Sequence, residues 1–284
     1  MDFFQDFNDP SAGFSTSNRE DFDHGYLEDL EIPSGIKSDN ASNDLIRCKH
    51  VRARADEPRY LFFITGWRRQ NTDVEVGICK FFAKFGISSV LMSPPYSQKR
   101  TPPGWWSGEY FVSGDIYLTV SNFRQCVSDA VGVLNWIANQ KPRKIGLFGF
   151  SLGGVLLQLV SNVYPVDNLF LVVSGARLGD LVWYGKLTQE LRQDIESAGI
   201  NRRELNLAWS ICDPETVGHH CQVTKENVLI YSSLYDEVVL PEYQDALWQS
   251  LGQPERIQLP CAHYSVFFYL KSINTHVANV FLEK

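Results

Sequence analysis

Several things are missing from this 284-residue chain, and each absence removes a class of function. No stretch approaches the roughly 18 consecutive apolar residues of a membrane-spanning helix, so no membrane span is expected. No cluster of lysine and arginine is present and the net charge is −7, which argues against nonspecific binding to nucleic acid. The six cysteines, Cys48, Cys79, Cys126, Cys212, Cys221 and Cys261, form no Cys-x-x-Cys pair, so no metal site is expected. The opening residues Met1-Asp-Phe-Phe-Gln-Asp are acidic and lack the charged-then-apolar order of a secretory signal. With several cysteines inside apolar segments, this points to a cytoplasmic protein with reduced thiols. Cys212 and Cys221 share one loop-like stretch and remain open as a disulfide pair. No internal repeat is visible.

What is present is ordinary globular material, 44% apolar and 21% charged, enough for one large domain with a full core. Residues 1–43 are rich in Asp, Asn, Ser and Gly and are expected to form an irregular arm. That arm is either packed on the domain through Phe3, Phe4, Phe14 and Tyr26 or disordered. From residue 44 to 284 short apolar runs alternate with helical periodicity. Leu45 to Val51, Tyr60 to Ile64, Ile87 to Met92, Ile145 to Phe150, Leu169 to Val173, Val228 to Tyr231 and Arg256 to Leu259 read as strands. Val74 to Phe85, Val120 to Ile137, Tyr243 to Leu251 and Val266 to Leu282 read as amphipathic helices. Such alternation predicts an α/β domain, a mostly parallel sheet with helices on both faces. Residues 175 to about 225 separate two strands by far more than a crossover needs and read as a small helical insertion. It is either a lid or an enlarged crossover.

The chain is organised around Gly149-Phe-Ser151-Leu-Gly153-Gly154, which follows an apolar strand and leads into an apolar helix. A serine at the apex of so sharp a turn is lifted clear of the sheet, and glycine is required where the two chains cross. Taken alone, the pattern also fits a turn in which Ser151 merely caps the helix. The residues after the later strands favour chemistry. Asp236 follows Val228 to Tyr231, and His263 follows Arg256 to Leu259, so Ser, acid and His each stand just past a strand end. A hydroxyl becomes a useful nucleophile once an imidazole removes its proton, and a carboxylate fixes that imidazole's tautomer. Glu237 and Asp180 compete with Asp236 for the acid, while His219 and His220 sit in the insertion, away from a strand end.

These residues resemble the α/β-hydrolase-fold serine hydrolases, over about Leu45 to Lys284. The segment Pro95-Tyr-Ser-Gln-Lys-Arg-Thr-Pro-Pro-Gly104 before a long helix is similar to an esterase-like branch. The resemblance implies hydrolysis of a small-molecule carboxylic ester by Ser151, His263 and Asp236, without cofactor or metal. Thioester, peptide or acyl-transfer chemistry, or a noncatalytic binding role, stand as alternatives. It also implies an oxyanion hole from the backbone N–H groups of Leu152 and Trp67. Where many members have His-Gly, this chain has Thr65-Gly66-Trp67, and Trp67 also reads as a packing aromatic. Trp105 and Trp106, with Tyr110 and Phe111, either line a substrate pocket or pin an ordered loop. Arg68, Arg69, Lys99 and Arg100 either attract an anionic substrate or form a solvated rim.

Overall fold

The computed structural model describes residues 13–283. Its centre is easiest to see in strand β4 (Arg59–Ile64), where Tyr60, Phe62 and Ile64 face one core and Leu61 and Phe63 face another. All five are buried, as a strand covered on both faces requires. The same division runs through β5 (Ile87–Met92), β6 (Lys144–Phe150), β7 (Asn168–Val172) and β8 (Val228–Ser233). These five strands and β9 (Glu255–Leu259) are parallel.

Helices α1 (Asp73–Ala83) and α9 (Leu270–Glu283) cover one face. Helices α2 (Ile116–Asn139), α3 (Leu152–Ser161) and α8 (Pro241–Ser250) cover the other. The Asp115 carboxylate starts α2 by accepting the Tyr117 and Leu118 N–H groups, each at 3.0 Å. The expected insertion holds α4 (Leu178–Tyr184), α5 (Gln189–Ser197), α6 (Arg202–Trp209) and α7 (Pro214–Val217). Cys212 and Cys221 are both free thiols, so the disulfide left open by the sequence is not made.

The N-terminal region differs from expectation. From Ser15 onward it is not irregular: β1 (Ser15–Phe22) and β2 (Gly25–Pro33) form a hairpin, and β2 pairs antiparallel with β3 (Leu45–Ala53). The sheet therefore has nine strands in the order β1-β2-β3-β5-β4-β6-β7-β8-β9. Leu30 and Ile32 of β2 reach the main core. The acidic residues that made this stretch look like a loop find partners across the ladder. Glu31 pairs with Arg47 and Asp29 with Lys49 at 2.5 Å, while Glu28 hydrogen-bonds the His50 ring at 2.8 Å. Phe14 stays half exposed, edge-on to Trp136 at 6.0 Å, while Phe3 and Phe4 lie outside the described residues.

Arg100 also departs from the rim expected of it. It is wholly buried, 2.7 Å from the equally buried Asp129 of α2, and donates to the carbonyls of Ser93 and Asn43 at 3.1 and 2.6 Å. Ser34 donates to the other Asp129 oxygen at 2.6 Å. Burial pushes the Asp129 carboxyl up, and Arg100 and Ser34 pull it back. The pair bolts the segment after β2 and the loop after β5 onto α2. Removing one partner strands the other charge, so Asp129→Ala is expected to lower stability by about 3–5 kcal/mol. The double change Arg100→Met with Asp129→Leu should cost less than Asp129→Ala, and urea denaturation of both proteins checks this order.

Candidate active site

Strand β6 turns into α3 through a tight backbone crossing. A Cβ on Gly153 would lie 2.2 Å from the Ile64 carbonyl oxygen, and one on Gly149 would lie 2.7 Å from Gly154 Cα. A Cβ on Gly154 would meet the Ser174 hydroxyl at 2.0 Å. Between these glycines Ser151 takes φ 51°, ψ −126°, a conformation that L-residues avoid. Its backbone is held there: its N–H donates to the Val172 carbonyl at 2.9 Å, and its carbonyl accepts from the Ser174 hydroxyl at 2.9 Å. The Ser151 side chain does not cap α3, so the capping role allowed by the sequence is not the one it fills.

Strain gathers at this end of the sheet. Of nine described non-glycine residues with positive φ, six lie in the connections after β4, β5, β6 and β7: Arg68, Tyr96, Gln98, Ser151, Val173 and Arg177. These connections surround a cavity of about 180 Å³ whose wall contains Ser151, Leu152, Trp67 and His263. Most of the wall is apolar: Ile64, Val155 and Phe267 come from the body, and Leu178, Leu181, Val182 and Leu187 from the insertion.

His263 is buried, and its Nδ1 lies 2.8 Å from Asp236 Oδ2. The Asp236 carboxylate has no exposed surface; Oδ1 accepts the Val238 and Val239 N–H groups at 2.9 and 2.8 Å, and Gln244 Nε2 approaches Oδ2 at 3.4 Å. A carboxylate so tied cannot swing away, so it fixes the imidazole's orientation and leaves Nε2 as the ring nitrogen free of Asp236. The competing acids are engaged elsewhere. Glu237 is fully exposed and pairs with Lys186 at 2.8 Å, while Asp180 accepts from Asn206 at 2.7 Å. His219 and His220 are exposed, their ring centroids 4.0 Å apart and the rings tilted by 41°.

The aromatic expectations divide. Trp67 is in the wall, and its indole N–H donates to the Gly108 carbonyl at 2.8 Å. A Cβ on Gly108 would lie 3.0 Å from Trp67 Cδ1 and 3.2 Å from the Arg68 nitrogen, so glycine permits this approach. The structure places neither Trp105 nor Trp106 in the wall. Trp105 packs on Tyr110 at 4.3 Å and is half exposed, and Trp106 packs on Trp67 at 6.1 Å. They pin the proline-rich loop, which rides over the back of Trp67.

Sequence reasoning missed Asp213. Its buried carboxylate accepts the Arg177 and Leu178 N–H groups at 3.0 and 2.5 Å and that of Glu215 at 2.9 Å, tying the start of α4 to the start of α7. Burial raises its pKa, opposed by those three bonds. The signal was an aspartate directly before Pro214 at a helix start.

No protein-family model matches the chain. The uncharacterized protein YdjC of Bacillus subtilis (strain 168) is 29% identical over 108 residues, which is 38% of this chain and 91% of YdjC. An acetyl xylan esterase from Paenibacillus sp. R4 superposes with a TM-score of 0.73 at 12% identity, covering 95% of this chain and 88% of that one. A cold-adapted esterase from an Arctic intertidal metagenomic library gives 0.65 at 14% identity over 94% and 99%. Est1E from Butyrivibrio proteoclasticus gives 0.55 at 14% identity over 95% and 98%. The chain has the α/β-hydrolase fold, with the sheet order and strand-to-helix turn described above.

The crossing itself is testable. Gly153→Ala must push against backbone and is expected to cost about 1–3 kcal/mol or more. Gly77→Ala, in α1 with nothing within 4 Å of the added carbon, is expected to gain about 0.5–1 kcal/mol. Paired thermal melts of the two variants check the contrast.

Proposed function

We propose that the protein is a serine hydrolase that cleaves a carboxylic ester of a small molecule through an acyl-enzyme intermediate. One observation carries the reading: a serine in a strained backbone conformation shares an apolar cavity with a histidine whose Nδ1 is 2.8 Å from a fully enclosed carboxylate. The esterase neighbours favour an ester over other acyl compounds.

In this mechanism His263 Nδ1–H donates to Asp236, and Nε2 takes the Ser151 proton as the serine oxygen attacks the carbonyl carbon. The carbonyl oxygen becomes an oxyanion, stabilised by the Leu152 and Trp67 backbone N–H groups, each worth about 3–4 kcal/mol in the transition state. Collapse expels the alcohol, which receives the proton from His263. Water, deprotonated by the same imidazole, then releases the acid and restores Ser151. The apolar wall from α4 and the turn at Leu187 takes the hydrophobic part of the substrate and keeps bulk water from the acyl-enzyme.

Ser151→Ala should fold normally, lose nearly all p-nitrophenyl ester turnover, and lose covalent labelling by a fluorophosphonate probe. Near-wild-type turnover in a clean preparation would overturn the reading, and the same panel run with acyl-CoAs and peptides separates thioesterase, peptidase and acyltransferase activities. Asp236→Asn is expected to lower kcat by about 10⁴, whereas Asp180→Asn should leave it within a few-fold. The insertion gives a separate expectation. Leu181→Phe narrows the cavity and should reduce kcat/KM for the longest accepted ester by about fourfold per methylene excluded. Trp209→Ala should lower Tm, because Trp209 is a buried core residue whose indole donates to the Ile116 carbonyl, and should also lengthen the longest accepted ester, because Trp209 borders the cavity.

A further inference from the structure

Five cations lie in or beside the cavity's loops in sequence, and the structure pairs four of them with carboxylates. Arg100 is buried on Asp129 at 2.7 Å. Arg69 is paired with Glu75 in the cavity wall at 2.8 Å. Lys99 points away from the cavity toward Asp29 at 3.6 Å. Lys186, the wall's lysine, is 2.8 Å from Glu237. Arg68 remains. It belongs to the wall, is exposed to solvent, and among the described residues no carboxylate lies within ion-pairing distance of it.

Arg68 is also held in place. Its guanidinium carbon lies over two indoles, 4.3 Å from the Trp67 ring and 4.6 Å from the Trp106 ring. Its backbone has φ 60°, uncommon for a long side chain. The Arg69 carbonyl beside it accepts from Ser107 at 2.6 Å and from Gln98 at 2.8 Å, which fixes the turn. A guanidinium resting on ring faces keeps its N–H edge for an acceptor, and that edge matches the two oxygens of a carboxylate or phosphate.

We propose that Arg68 binds an anionic group of the substrate, so that the site takes amphiphilic esters with an apolar chain in the cavity and a carboxylate or phosphate at its rim. The ester bond in this statement rests on the proposed function; the anion recognition does not. Calorimetric titration of the full chain with octanoate, octyl phosphate and octanamide tests it without any hydrolysis. The better of the two anions should bind wild type about fivefold more tightly than octanamide, the order expected of a partly exposed charge pair. That margin should shrink at about 0.5 M NaCl, vanish in Arg68→Gln and persist in part in Arg68→Lys. The stronger anion tells carboxylate from phosphate. Equal binding of anions and amide to wild type, a margin that survives Arg68→Gln, or no binding of any of the three overturns the inference. Because none of these ligands is an ester, an anion preference without esterase turnover would sink the proposed function alone.

Discussion

The contact on which the site depends is the approach of α3 to the end of β4, where Gly153 lies against the Ile64 carbonyl with no room for a side chain. Two neighbouring strands and a helix meet there, so the position of Ser151 is set by backbone atoms rather than by a rotamer. The same closeness brings the loop after β4, with Trp67 and Arg68, to one side of the serine, and the end of β7, with Val173 and Ser174, to the other. The concentration of positive φ values in these loops follows from it. Each loop must leave its strand at an angle the ordinary backbone does not favour, and the rigid parallel sheet beneath supplies the constraint.

Three buried carboxylates of this molecule are each held by two or more donors. Asp236 takes two backbone N–H groups and the imidazole, Asp213 takes three N–H groups, and Asp129 takes a guanidinium and a hydroxyl. Asp213 ties backbone at two helix starts, Asp129 holds two segments through their side chains, and Asp236 orients a ring. The difference lies in the neighbour: of the three, only Asp236 is bonded to a titratable side chain of the cavity wall, His263.

The parallel half of the fold was legible because its strands are continuous apolar runs cut off by turn residues, and the period between them changes to that of helices. Ile87 to Met92 was readable to the residue. The order of serine, acid and histidine past strand ends was legible for the same reason, since strand ends in such sheets face one side. The hairpin of β1 and β2 was not. Its alternation carries acids where a strand is expected to show neutral polar residues, and their partners Arg47, Lys49 and His50 come from a strand some twenty residues later. Arg100 was unreadable in a like way: a cation beside prolines looks solvated until Asp129, a full helix away in sequence, is seen beneath it. Trp105 and Trp106 were placed on the right side of the sheet, but whether an aromatic turns toward a cavity or toward its own loop is decided by side-chain packing that spacing does not encode.

The hairpin matters beyond the residues it adds to the core. A sheet with a ragged rim offers its free N–H and C=O groups to any other chain that can extend alongside them. Here one of the two rims is β1, exposed along nearly all its length, carrying Arg19, Glu20 and Asp21, with a register break between Ser17 and Glu20. Without β1 and β2 the sheet would end at β3, whose Ile46, Cys48 and Val51 would stand at an unpaired border. The N-terminal hairpin thus covers the apolar border of β3, and a shortened chain starting near Leu45 would carry that nine-residue strand at one edge of its sheet.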